Sequence, residues 1–123
     1  MWKLVSLFVR KSAANEWGMV SCVTCGRVNH YKKMQAGHFI PGRHNATLFD
    51  IRGIHPQCYA CNMLLGGNSR KYEVWMKEHY GTKVIKELDK LNDSPELKKF
   101  TEVELLGMIE EFKTKLFGLE HIS

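Results

Sequence analysis

Two Cys-x-x-Cys pairs, Cys22-Val23-Thr24-Cys25 and Cys58-Tyr59-Ala60-Cys61, constrain this chain more than any other feature. Four thiolates in two such pairs make the ligand set of a closed tetrahedral zinc site, with no position left open for a substrate. Each pair turns both sulfurs toward one ion, and the ion ties together segments far apart in sequence. Two disulfides would use the same cysteines but need an oxidising compartment, which no feature of the chain suggests. The 32 residues between Cys25 and Cys58 exceed the ~15–20 of a plain zinc ribbon. The zinc is therefore expected to staple an inserted element, and the chemistry to lie in that insert.

A chain of 123 residues with 44% hydrophobic side chains fits one domain whose modest core a structural metal would reinforce. No apolar run approaches the ~20 residues of a membrane span, and Leu4 to Val9 is too short for a signal sequence. The expectation is an intracellular protein with reduced thiols and no membrane partner. Residues 1 to 45 carry seven basic and one acidic side chain, whereas residues 81 to 123 carry seven and nine. Positive charge concentrated around the first cysteine pair suits a phosphate backbone, although a solvated basic surface has the same composition.

Helical spacing of apolar residues predicts helices over Trp2 to Ala14, Ser69 to Tyr80, Thr82 to Asn92 and Thr101 to Phe117. In the last of these, Thr101 and Glu104 make a capping box, and Val103, Leu105, Leu106, Ile109, Phe112 and Leu116 form the expected apolar face. Gly81 is a C-cap and Thr82 an N-cap. Met19 to Ser21 is a short strand, and Val28 to Met34 is read as a polar, basic loop. Gln35 to Ile40 and Leu48 to His55 are read as two strands of a hairpin, and Cys58 to Leu65 as the start of a helix. Only Asn92 to Leu97 is linker-like, and it is too short to separate domains. The fold expected is a small α+β domain over 1–123: a zinc-stapled core at about 18–80 and a C-terminal helical extension at 82–118.

Phosphodiester hydrolysis needs a base for water and a divalent cation for the phosphate charge. His38, within Gly37-His38-Phe39, suits the base, although a histidine in a strand is more often structural. Lys32, Lys33, Arg43, Arg70 and Lys71 are the candidate DNA contacts.

The order Cys-x-x-Cys, Gly37-His38-Phe39, Ile54-His55-Pro56-Gln57-Cys58, Cys61-Asn62 and Gly67-Asn68 resembles the HNH or His-Me finger nucleases, which carry a ββα-metal motif. Within them it most resembles the NinG (Rap) family of phage recombination endonucleases, with Arg10, Gly18, Phe49-Asp50 and Tyr72 also matching. The spacing is similar to phage endonuclease seven as well. The resemblance implies a metal-dependent endonuclease on branched DNA such as Holliday junctions and D-loops, in the cytoplasm of a phage-infected or prophage-carrying bacterium. It implies His38 as general base, Asn62 as ligand of a catalytic Mg²⁺ or Mn²⁺, and Cys22, Cys25, Cys58 and Cys61 as ligands of a structural Zn²⁺. Gly37 stands where many His-Me enzymes have a metal-binding aspartate, so Asp50, His55 and Asn68 are further candidate ligands. Gly53 replaces the middle asparagine of the HNH pattern. His55 has an alternative role as a hydrogen-bonding residue near the zinc, and Asn68 as a helix cap. A homodimer would match the two-fold symmetry of a four-way junction. The alternatives are an HNH enzyme that nicks ordinary duplex and a non-catalytic zinc-containing DNA-binding module.

Overall fold

The computed structural model describes residues 1–41, 47–93 and 101–122, with side chains through 119. Arg43 and most of the linker-like stretch Asn92 to Leu97 lie outside these residues. Helix α1 (Trp2–Ser12) buries Val5 and Val9. Strands β1 (Met19–Ser21) and β2 (Val28–His30) pair antiparallel, Met19 opposite His30 and Ser21 opposite Val28. The first cysteine pair is the loop between them. Its turn is closed by the Cys22 N–H donating to Arg27 O at 2.8 Å and the Gly26 N–H to Cys22 O at 2.9 Å. The loop expected over Val28–Met34 is therefore β2 followed by a 3-10 turn, Tyr31–Lys33, in which His30 Nδ1 accepts from the Lys32 N–H. Its polarity is that of a two-stranded ribbon with a solvated face.

Strands β3 (Gln35–His38) and β4 (Ile54–Gln57) form a second antiparallel pair, with Gly37 opposite His55 and His38 opposite Ile54. The strand expected over Leu48–His55 is thus displaced toward the second cysteine pair. Asp50 accepts from the Arg52 N–H and caps a 3-10 turn over Ile51–Gly53, so the apolar residues at 49 and 51 pack from a turn. Pro56 is tolerated in β4 because its backbone faces away from β3, where its carbonyl accepts from Val23 N–H at 3.0 Å. No ladder bond is lost there.

Beyond β4 the chain makes a π-helical turn, Ala60–Leu64, in place of an ordinary helix, with the Leu65 N–H bonded to Ala60 O. Gly66 and Gly67 then reverse the chain at positive φ, a conformation glycine adopts without Cβ strain. Helix α2 (Ser69–Tyr80) follows, and α3 (Thr82–Asn92) starts from Gly81 rather than from a Thr82 cap. Helix α4 (Glu102–Ile122) carries the expected capping box, with the Glu104 N–H donating to Thr101 Oγ1 and the Thr101 N–H to Glu104 Oε1. Its buried stripe is narrower than expected, since Phe112 and Leu116 are buried while Val103 and Leu106 are 79% and 56% exposed. Among the described residues no helix is long and apolar enough to cross a membrane.

The buried side chains gather in clusters that bracket β3 and β4. Val5, Val9, Ala36, Ile54 and Phe112 join α1 and α4 to the sheet, and Ile40, Tyr72, Met76, Ile85 and Leu88 join α2 and α3 to its far end. The cysteines sit between, with Val20 and Met34. One close approach locks this arrangement: a Cβ on Gly37 would stand 1.8 Å from the side-chain oxygen of Gln57, which is fully buried. Gly37→Ala should therefore destabilise the protein by about 1–3 kcal/mol, the usual range for overpacking. Urea unfolding would measure it, and the Gly37→Ala/Gln57→Ala pair should lose less than the sum of the single changes because the second removes the obstacle. Additive losses would show that this contact is not the constraint.

Candidate metal centre and cleft

The sulfurs of Cys22, Cys25, Cys58 and Cys61 all lie within 4.8 Å of one another, and all four cysteines are free thiols. Sulfurs held ~2.3 Å from one ion in a tetrahedron stand ~3.8 Å apart, and Cys25 Sγ lies 3.7 Å from Cys58 Sγ. The residues therefore fit zinc. Burial acts against ionisation of Cys22, but hydrogen bonds from the Thr24 hydroxyl and from the backbone N–H groups of Cys58, Thr24 and Cys25 outweigh it and bring the thiol down to about 6. The Arg27 N–H favours the Cys25 thiolate, yet burial and the three neighbouring sulfurs together push it up to about 12. Four thiolates this close repel one another, and a dication at their centre removes the conflict.

A second layer of hydrogen bonds holds these sulfurs. Thr24 Oγ1 lies 3.2 Å from Cys22 Sγ, the Gln57 amide donates to Thr24 Oγ1 at 3.1 Å and to Gly67 O at 2.8 Å, and the Asn68 amide reaches Cys61 Sγ at 3.6 Å. Gln57 Oε1 is buried without a hydrogen-bond partner, in the space a side chain at position 37 would occupy. An aspartate at Gly37 would expel Gln57 and break the link between zinc and the Gly67 turn.

His38 and Asn62 line one cleft of about 880 Å³, together with Trp2, Arg10, Gln35 and Met63. The His38 ring stacks on Trp2, with centroids 4.8 Å apart and planes at 22°. His38 Nε2 lies 2.9 Å from Leu48 O. A carbonyl only accepts, so Nε2 carries the proton and Nδ1 of the neutral ring keeps its lone pair. The Asn62 amide donates to Gln35 Oε1 at 2.6 Å. In this arrangement Oδ1, the donor atom a hard cation prefers, has no partner among the described residues. Residues 24 apart in sequence thus meet because β3 ends at His38 and the π-helical turn after β4 folds Asn62 against Gln35 at the start of β3.

A family model described as the bacteriophage lambda NinG protein matches residues 1–121. The chain belongs to the NinG family. It is similar to protein ninG of Salmonella phage P22, 28% identical over 116 residues that make up 94% of this chain and 53% of that protein. The chain spans about half the length of this relative. No solved structure matches.

The NinG-like residues separate into those that meet in the cleft and those that do not. Asp50 is outside it: Arg52 binds both carboxylate oxygens, at 3.0 and 2.7 Å, and is itself paired with Glu87. Burial acts against the Asp50 carboxylate, but Arg52 outweighs it and holds the carboxyl below its ordinary value. His55 is also outside. Its Nε2 lies 2.8 Å from Arg52 O and 3.1 Å from Tyr80 Oη, its ring packs on Trp75, and burial pushes it down to about 4. The structural alternative for His55 is therefore the one its surroundings match. Asn68 precedes α2 at positive φ without making the side-chain cap expected of it: its backbone carbonyl accepts the first helical bond, from the Tyr72 N–H at 3.0 Å, while its amide reaches a cysteine sulfur. The Asp50 carboxylate is thus committed to Arg52, Asn68 does not line the cleft, and Gly53 is packed against Leu88, 3.3 Å from where a Cβ would stand.

Lys32 and Lys33 are exposed on the turn that leads into the cleft wall at Met34 and Gln35. Arg70 and Lys71 are exposed too, but Arg70 lines a separate groove with Glu73 and Asp89. Sequence reasoning gave no role to Trp2, Arg10, Gln35 or Gln57. The resemblance to NinG includes Arg10 and Gln57 without giving them a role, and the four-residue interval between Ser6 and Arg10 places those two on one helix face. For the metal centre, elemental analysis should find about one zinc per chain, and Cys58→Ser should lose it and unfold. Thr24→Val should stay folded yet release zinc to a chelator about 10–100-fold more readily, the usual effect of removing a partner of a metal ligand. Unchanged release would show that Thr24 does not support Cys22.

Proposed function

We infer that this NinG-family chain is a metal-dependent endonuclease that hydrolyses phosphodiester bonds in branched DNA, such as Holliday junctions and D-loops, during phage recombination in the host cytoplasm. In this reading β3, β4 and the π-helical turn are the ββα-metal core of an HNH or His-Me finger enzyme. The supporting observation is His38, which lines the cleft that also contains Asn62, with its Nε2–H held by the Leu48 carbonyl and its Nδ1 without a partner among the described residues. His38 Nδ1 takes a proton from water as the water oxygen bonds to phosphorus and the bond from phosphorus to the leaving sugar oxygen breaks. The imidazolium that forms keeps its Nε2–H on Leu48 O and its stacking on Trp2. Mg²⁺ or Mn²⁺, held by Asn62 Oδ1, would supply positive charge beside the phosphate. No acidic residue lines the cleft among the described residues, so the remaining ligands would be phosphate oxygens and water.

The same lack of carboxylates favours a second reading, a non-catalytic zinc-containing DNA-binding module. Incubating the protein with a four-way junction, a Y-fork and linear duplex of the same arms, with and without Mg²⁺, separates the readings. Junction cutting that needs the metal supports the enzyme, equal cutting of linear duplex supports an ordinary HNH nickase, and binding without cutting supports the module. Junction cleavage by a dimer would place one cleft at each of two symmetric strands.

His38→Ala should retain zinc and DNA binding yet cut on the order of 10²–10⁴-fold more slowly. Asn62→Ala should instead raise the Mg²⁺ concentration needed for cutting, with partial rescue by excess metal. Wild-type cutting by a folded His38→Ala protein would remove histidine from the mechanism. Neutralising Lys32 and Lys33 together with Arg43 should flatten the salt dependence of binding, because fewer counterions are released. An unchanged slope in a binding titration over salt would place the DNA elsewhere.

A further inference from the structure

The described residues contain two arginines in contrasting electrostatic situations. Arg52 has carboxylates on both sides, Asp50 and Glu87. Arg10 has none: its Nε donates to Ser6 O at 3.1 Å and Ser6 Oγ at 3.2 Å, and its Nη1 to Tyr31 O at 2.9 Å. All three acceptors are neutral. Burial lowers the Arg10 pKa, so the fold holds this cation partly desolvated without an opposing charge of its own. A partly buried charge without a counter-ion is unfavourable unless something outside the fold supplies one.

The position of Arg10 points to what that is. It lines the same cleft as His38 and Asn62, and no acidic residue lines that cleft among the described residues. The bonds to Ser6 and Tyr31 fix the guanidinium through Nε and Nη1, and the Nη2 group has no acceptor among the described residues. The N–H groups of Nη2, on a cation already fixed in position, remain to donate to the oxygens of an anion. Exposed Lys32 and Lys33 lie on the turn whose first residue, Tyr31, accepts from Arg10, so the positive field continues toward a polyanion.

We propose that Arg10 is the phosphate-binding cation of this cleft and that it holds the nonbridging oxygens of the phosphodiester placed between His38 and Asn62. The second half of this statement rests on the endonuclease reading, and the first does not. As water adds to phosphorus, negative charge grows on those oxygens, and a guanidinium already fixed by Ser6 and Tyr31 meets it without reorganising. Arg10 thereby neutralises charge in a cleft whose own carboxylate ligand is missing at Gly37.

Two measurements test this. In the first, inorganic phosphate is titrated into the zinc-loaded wild-type protein while the Arg10 Nε–Hε signal is followed by NMR, with chloride at matched ionic strength as the control. A saturable shift with phosphate and none with chloride is expected, and an unmoved Arg10 signal would overturn the proposal. In the second, Arg10→Gln and Arg10→Lys are compared on the branched substrate after zinc content and thermal unfolding confirm the fold. Arg10→Gln should lower kcat on the order of 10²–10³-fold, as for removal of a donor to a developing oxyanion. Arg10→Lys should recover only part of it, because an ammonium lacks the fork. A methylphosphonate at the cut position, which removes one charged oxygen, should slow the wild type strongly and add little to the defect of Arg10→Gln. Folded Arg10→Gln protein with wild-type kcat, or additive defects with the methylphosphonate, would overturn the catalytic role. Saturable phosphate binding at Arg10 in a wild type that cuts no DNA would overturn the endonuclease reading instead and leave Arg10 as a phosphate site.

Discussion

Four sulfurs brought within 4.8 Å of one another are the constraint on which the rest of this structure depends. As thiolates they would repel one another, and a zinc ion at their centre would remove that conflict and join the β1–β2 hairpin to the end of β4. That link matters because neither sheet has more than two strands, and isolated two-stranded ribbons are marginal in water. The metal centre and the small apolar clusters around it together do what a larger core does in a longer chain.

From the cysteine cluster, order passes to the cleft through a short chain of polar contacts. Thr24 touches the Cys22 sulfur, Gln57 bonds Thr24 and the Gly67 carbonyl, and Gln57 also fills the space beside Gly37. Gly37 precedes His38, and Gly67 lies in the turn that follows Asn62 and lines the cleft. Glycine at position 37 therefore has a packing reason: it admits the glutamine that links the cysteine cluster to the cleft wall. The absence of an aspartate leaves the cleft without negative charge among the described residues, which suits an anionic occupant.

Electrostatic pairing decides which polar residues remain available. Asp50 and Arg52 satisfy each other and continue to Glu87, so a carboxylate that looked available for a metal is part of a surface network. His55 is enclosed by Tyr72, Trp75 and Tyr80 and bonds a backbone carbonyl. Arg10 and His38 differ from both, since each is anchored by a carbonyl and keeps part of its hydrogen-bonding capacity facing the cleft.

The sequence by itself determined the cysteine centre, the α+β class, the positions of the four helices, the Thr101–Glu104 capping box and membership of the NinG family. The family match runs over residues 1–121, and the rest depends on spacing within a short stretch: two residues inside a knuckle, three inside a capping box, three or four along a helix face. Only the tertiary structure decided that Arg10, Gln35, His38 and Asn62 share a cleft while Asp50 and His55 do not. It also moved the second strand to Ile54–Gln57, because Asp50 and Arg52 curl the preceding residues into a turn whose apolar side chains imitate strand alternation. Val103 and Leu106 continue an apolar pattern in α4, yet among the described side chains of that helix only Phe112 and Leu116 are buried. Spacing along the chain fixes what a segment can form, whereas shared sites arise from register and packing between distant segments, where the available partners decide each residue's role.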